Sequence, residues 1–290
     1  MALPPHASRA ERVWHYTYLG ICTAIFVFLI SPILVIIPLS FNAEPYFTFT
    51  QEMLSFDPDG YSMRWYEKIL TFGMSEPDGP RGSSWWADVW SNAQWVRAAK
   101  NSVIIGILAT ILATLLGTVA ALGLSRPEMP FRRVIMGLLI SPMIVPVIIT
   151  ATGLFFFYSW TGLAHTYLGI IMAHATLGIP FVIITVTATL VGFDQSLTRA
   201  AANLGADPVT SFRRVTLPLI LPGVISGGLF AFVASFDQQT IPRQMWNGIR
   251  EQISPTILSV ATVLVIFSIA LLTTLELLRR RNERLRGLTG

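Results

Sequence analysis

Six apolar stretches, each long enough to cross a bilayer as a helix, constrain this chain more than any other feature. A hydrocarbon core takes about 20 apolar residues per helical crossing, and segments 17–41, 103–125, 134–158, 166–192, 215–236 and 256–278 reach that length. With no water in the bilayer core, each backbone N–H and C=O must find its partner within the segment, as a helix provides. The expected fold is an all-α membrane protein with six transmembrane helices. Composition agrees: 53% of the 290 residues are hydrophobic and 12% are charged, and the mean hydropathy of +0.60 lies above that of an ordinary soluble domain.

The first segment follows Arg9 and Arg12, as the core of a signal peptide would. Its apolar run exceeds the roughly 7–15 residues of a cleavable core and no small-x-small site follows, so it reads as an uncleaved anchor. Positive loops stay in the cytoplasm. With the N-terminus inside, 13 of the 20 Lys and Arg fall on the cytoplasmic side, whereas segment 42–102 sets eight acidic residues against five basic ones. The expected order is a cytoplasmic N-terminus (1–16), a first anchor (17–41), an external loop (42–102), a five-helix core (103–278) carrying a cytoplasmic loop at 193–214, and a cytoplasmic tail (279–290). Five of the eight tryptophans lie in the external loop, where an aromatic belt at the water–lipid boundary is preferred to a ligand site.

The net charge of +4 comes from arginines spread between apolar segments. It is a topology signal in a chain surrounded by membrane lipid, and no nucleic-acid partner is expected. The single cysteine, Cys22, excludes an internal disulfide or cysteine metal site. His6, His15, His165 and His174 are scattered without an H-E-x-x-H spacing, so neither a catalytic residue nor a metal ligand set is assigned. A phosphate loop needs G-x-x-x-x-G-K-[ST], and both lysines, Lys68 and Lys100, lie in the external loop. The chain is expected to be no enzyme and to draw its energy from a partner or a gradient.

One polar stretch interrupts the apolar pattern: TRAAANLGADPVTSFRRVTLP, residues 198–218. Asp194 or Ser196 can cap a short helix in which Leu197, Ala200, Ala201 and Leu204 form one apolar stripe, with Arg199 and Asn203 opposite. Gly205 ends it. Asp207 and Pro208 then supply the cap and first-turn proline of a second helix bearing Val209 and Phe212, with Arg213 and Arg214 nearby. From these residues alone, the hairpin either packs on its own bundle or docks on another protein.

The spacing of the whole stretch resembles the cytoplasmic signature of the permease subunits of ATP-binding-cassette importers, which runs Glu-Ala-Ala, three residues, Gly, nine residues, Ile-x-Leu-Pro. Ala200, Ala201, Gly205, Leu217 and Pro218 match, Val215 replaces Ile, and Arg199 stands where the family usually has Glu, a charge reversal. SFN (40–42), RWYEKI (64–69), Asn101-Ser102, SPMIVP (141–146), AHATLGIPF (173–181) and SFD (235–237) resemble the spermidine/putrescine-type branch. Against that branch the external loop is expanded around residues 71–94 and the segment after Asp237 is shorter. The resemblance implies a type I importer permease in a bacterial inner membrane, whose loop at 196–215 couples to ATPase subunits through Arg199, Ala200, Ala201, Gly205, Phe212, Leu217 and Pro218. It further implies a second permease, two ATPase subunits that bind ATP and magnesium, an external solute-binding protein, and no cofactor in this chain. Polyamine is the first substrate expectation, and an opine-like or other small organic solute the second.

Polar and helix-breaking residues in the spans are candidates for the solute pathway: Pro142 and Pro146 in the third span, His174 and Pro180 in the fourth, and Asp237 at the outer end of the fifth. His174 reads equally as a packed, hydrogen-bonded histidine, and Asp237 as a solvated helix end. Gly223, Gly227 and Gly228 read first as sites of close helix packing. A gradient-driven carrier would need inverted repeats and ionisable groups at mid-membrane, neither of which is evident. A non-transporting scaffold remains a third reading.

Overall fold

The computed structural model describes residues 8–126, 128–194, 196–237, 240–251 and 254–285, and their regular structure is helical apart from one isolated antiparallel bridge between Asn42 and Tyr61. Four helical runs are long and apolar enough to cross a bilayer: α1 (Arg9–Leu39), α5 (Gln94–Leu124), α8 (Tyr167–Val191) and the run from Pro208 that contains α10 (Pro208–Ser211) and α11 (Leu217–Asp237). The last apolar segment opens α13 (Thr256–Leu285), whose apolar part is the shorter Thr256–Ala270.

The third segment, expected as one helix over 134–158, is instead two helices. α6 (Arg132–Ile144) and α7 (Val147–Thr161) meet at an angle of 103°. Thirteen and fifteen residues make helices of about 20 and 22 Å, each short of a hydrocarbon core of about 30 Å. The break has a local cause. Pro146 disfavours helical geometry in the residue before it, and Val145 is extended at φ −70°, ψ 134°. Pro146 then opens α7, its carbonyl accepting from the N–H of Ile149 at 2.9 Å.

The chain divides into two compact units, Met1–Val96 with Met245–Gly290, and Arg97–Gln244. In the first, the C-terminal end of α1 is tied to α3 (Arg64–Thr71) and α13. Ser40 Oγ pairs with the Tyr66 hydroxyl at 2.7 Å, Trp65 Nε1 donates to the Asn42 carbonyl at 2.7 Å, and Ser259 Oγ donates to the Ser40 carbonyl at 3.1 Å. The SFN and RWYEKI motifs are thus one joint. Residues 71–94 are folded too: Phe72 and Gln94 close the stretch backbone to backbone at 2.8 Å. Within it, α4 (Ser83–Asn92) packs Trp85, Val89 and the following Ala93 against Leu70 and Met74. The aromatic-belt expectation is corrected here. Of the five tryptophans in segment 42–102, Trp65, Trp85 and Trp95 are buried and Trp86 and Trp90 are exposed, because burying roughly 200 Å² of indole contributes about 5 kcal/mol to a small fold.

The second unit is built on α8 and α11, which approach backbone to backbone. A Cβ added at Gly227 would lie 2.7 Å from the Cα of Val182, and one at Gly223 would lie 2.9 Å from the Thr185 carbonyl. α5 completes the core through Ala109, Ala113 and Ala121, packed with Ala175, Val182, Val186, Ile220 and Ala231. Small residues at such contacts replace the hydrophobic drive that lipid does not supply.

Candidate functional site

The cytoplasmic-signature stretch forms a hairpin between α8 and α11. Its first arm is α9 (Ser196–Asn203). Asp194, not Ser196, supplies the acceptor at its start: Oδ1 and Oδ2 take hydrogen bonds from the N–H and hydroxyl of Ser196 at 2.8 and 2.7 Å. Those bonds hold the Asp194 carboxyl below the usual carboxylate range, with a smaller contribution from Arg199. At the other end Gly205 is left-handed, φ +83°. The Gly205 N–H reaches the Ala202 carbonyl at 2.9 Å and the Ala206 N–H reaches the Ala201 carbonyl at 3.0 Å, the paired bonds of a Schellman cap. The Ala-x-x-x-Gly spacing therefore has a backbone meaning. The Ala201 carbonyl accepts the outer, longer-range bond of the cap from Ala206, and the residue four after Ala201 must be left-handed.

Asp207 begins the second arm, accepting from the N–H groups of Val209 and Thr210 at 3.1 and 3.3 Å with Pro208 in the first turn. Hydrogen bonds from Thr210, then from Val209, keep its carboxyl below the usual range. The cap and first-turn proline predict a separate short helix here, and the structure corrects that expectation. α10 runs through a π turn at Phe212–Thr216 directly into α11, with the Leu217 N–H bonded to the Phe212 carbonyl five residues back. Pro218 is the physical reason: it has no N–H, and its ring clashes with the carbonyl four residues earlier. A one-turn widening relieves that clash.

The apolar stripe of α9 is uncovered. Leu197 is 44% exposed and Leu204 89%, while Val209 on the second arm is 62% exposed. Arg199, Ala200, Arg213, Arg214 and Pro218 are exposed, and Ala201, Phe212 and Leu217 are half-buried. The hairpin does not pack its stripe on its own bundle. It is a capped, angle-fixed projection with apolar residues outward.

The pathway candidates are not brought together. Pro142 lies within α6 and Pro146 at the break. Pro180 is buried inside an unbroken α8. Asp237 ends α11, and its side chain lies outside the described residues. His174 is half-buried on α8, its Nδ1 3.2 Å from Ser235 Oγ of α11, and it also lines a cavity of about 260 Å³ between α7 and α8 with Thr150, Phe155, Tyr158 and His165. Tyr158 and Thr150 were not singled out from the sequence, where Tyr158 shows only as one polar tip inside an aromatic run.

Comparison with known proteins agrees with these features. Residues 113–286 match the family described as binding-protein-dependent transport system inner membrane component. The spermidine/putrescine transport system permease protein PotC of Haemophilus influenzae is 27% identical over 271 residues, covering 89% of this chain and 95% of that protein. The putrescine transport system permease protein PotI of Escherichia coli is 28% identical over 265 residues, covering 83% and 82%. Among solved structures, a bacterial ABC transporter involved in the import of the acidic polysaccharide alginate aligns with a TM-score of 0.67 at 15% identity, over 94% of this chain and 99% of that one, a likeness of fold.

Proposed function

The chain belongs to the binding-protein-dependent transport system inner membrane component family, the permeases of ATP-binding-cassette importers, and on that premise we propose that it carries a polyamine of the spermidine/putrescine class across a bacterial inner membrane. It does so as a six-span subunit with both termini in the cytoplasm. It pairs with a second, related permease and two ATPase subunits that bind ATP and magnesium, and receives solute from an external binding protein. Its own chain hydrolyses no ATP. The hairpin at 196–215 docks in the ATPase, Leu204 and Val209 entering a groove while the Gly205 cap fixes the angle between the arms.

The observation that carries the coupling role is the uncovered stripe on a rigidly capped hairpin, with Leu204 89% exposed. The polyamine assignment is supported by the names of the two permeases above. A second reading, import of an opine-like or other small organic solute, is favoured by the absence of Asp and Glu from segments 103–125, 134–158, 166–192 and 215–236, where a dication would meet no carboxylate.

Gentle extraction of a tagged copy followed by mass spectrometry tests the assembly. An ATPase with a phosphate loop, recovered with a second permease, is expected; a chain that comes out alone or as a homo-oligomer overturns the reading. Uptake of labelled putrescine by the reconstituted complex tests the solute, and transport of neutral solutes alone would replace polyamine by the second reading.

A further inference from the structure

Tyr158 lines the cavity between α7 and α8. The residue is 8% exposed, and its hydroxyl, which keeps some accessible surface, makes no hydrogen bond to the described residues. The O–H that a buried tyrosine ordinarily pairs is therefore open to a guest. Thr150, half-buried on the same wall, likewise has a hydroxyl without a partner among the described residues. His174 spends Nδ1 on Ser235, which leaves Nε2 for something else. Apart from His165, whose ring meets Phe155 edge-on at 6.4 Å, the remaining wall is apolar and aromatic, with Phe155, Leu154 and Leu177, and every lining residue belongs to the second unit.

We propose that this cavity is a transit subsite for one primary-ammonium end of the solute, held by Tyr158, Thr150 and His174 and by the face of Phe155. The proposal rests on the polyamine reading above and answers the difficulty raised there, since it provides for an amine in spans that hold no carboxylate. The chemistry is complementary. An ammonium donates three hydrogen bonds and accepts none, and the phenol oxygen, the threonine oxygen and a neutral imidazole nitrogen are three acceptors. For Nε2 to accept, the His174 proton sits on Nδ1 and is donated to Ser235 Oγ, which fixes the tautomer. Aromatic faces attract the same cation, and Leu154 and Leu177 suit the methylene chain. Without a carboxylate the site holds its guest weakly, as a site that must release it requires. From Gly169 to Leu177 the lining follows α8 for about 12 Å, which in the proposed orientation is the outer half of the membrane.

Tyr158→Phe is the decisive variant, because the hydroxyl it removes supports nothing inside the fold. In proteoliposomes holding the complete transporter, Tyr158→Phe is expected to raise the half-saturating putrescine concentration about five-fold, the effect of one hydrogen bond, without lowering the melting temperature. Phe156→Leu, one residue away and outside the cavity, serves as control and keeps the wild-type value. In a Cys22→Ser background, Tyr158→Cys is expected to react with aminoethyl methanethiosulfonate and to be protected by putrescine but not by glycerol. Uptake of putrescine by the wild type with an unchanged half-saturation in Tyr158→Phe, or labelling indifferent to putrescine, overturns the subsite alone and leaves a cavity filled by lipid. A wild-type transporter that carries no polyamine overturns the polyamine reading and the subsite with it.

Discussion

Substitution of Gly205 separates the geometry of the hairpin at 196–215 from its mere presence. At φ +83° an L side chain costs about 1–2 kcal/mol, and since an added Cβ would meet nothing within 4 Å, backbone conformation is the whole penalty. A cost of that size lowers the population of the capped hairpin by a factor of about 5–30. Valine, β-branched, is the worst fit, alanine is intermediate, and asparagine, which enters the left-handed region with local hydrogen bonding, is the mildest. ATP-driven uptake by the reconstituted complex is expected to fall in the order Asn, Ala, Val, with more ATP hydrolysed per solute moved and no loss of protein from the membrane. Gly205→Asp probes charge separately. Aspartate also tolerates this backbone, so its expected uncoupling of hydrolysis from uptake comes from a carboxylate on the docking face. Equal uptake for Asn and Val refutes the geometric reasoning, and normal uptake in Gly205→Asp removes the coupling role.

Three further outcomes are expected. Gly227→Ala forces α8 and α11 apart, because its Cβ meets Val182 Cα at 2.7 Å, whereas Gly137→Ala meets nothing within 4 Å. The first should lower the melting temperature, at an overpacking cost of about 1–3 kcal/mol, and the second should leave it in place; equal melting would contradict the close packing. Asp207 has a depressed carboxyl, so its contribution to the hairpin is complete at and above the ordinary carboxylate range and is lost only as pH falls through the depressed value. Coupling efficiency should therefore be flat between about pH 5 and 8 as far as this group is concerned, and Asp207→Asn, which also caps, should match wild type there; a loss of coupling in Asp207→Asn would show a role for the charge itself. Asp237→Asn should weaken uptake of a cationic solute more than that of a neutral one, and an equal effect on both would remove Asp237 from the pathway.

What the sequence made legible was what depends on neighbours along the chain. The caps at Asp194, Gly205 and Asp207 follow from the side chains and backbone freedom of those residues, and the apolar lengths of the spans follow from the bilayer. The break at Val145 was legible in principle, because a residue before proline is pushed out of helical geometry, but an apolar run on both sides conceals it when only hydropathy is read. The π turn at Phe212–Thr216 depends on how Pro218 is accommodated, which the spacing alone does not decide. Trp65, Trp85 and Trp95 carry the same composition as a lipid-facing belt, and only tertiary contacts such as Trp65 with the Asn42 carbonyl turn them inward. Tyr158 and Thr150 join His174 only because α7 folds back beside α8, and no local pattern records that return.

These differences in rigidity give the proposed coupling a direction. The hairpin leaves α8 and enters α11, the two helices locked together through Gly223 and Gly227, so a force on Leu204 moves both helices as one body and α5 with them through the alanine face. A backbone-to-backbone contact of this kind does not shear in small steps, because interdigitated cores have few intermediate packings. The breaks in helical structure lie elsewhere in the same unit. One is Val145–Pro146, which no helical hydrogen-bond ladder crosses intact, and the other is the turn around Gly162 and His165, both left-handed at φ +74° and +60°. These two joints bracket α7. The cavity with Tyr158 on one wall and His174 on the other therefore lies between a helix bounded by two breaks and a close-packed pair, and in the proposed coupling a stroke received through the hairpin would reach the solute by changing the gap between those walls.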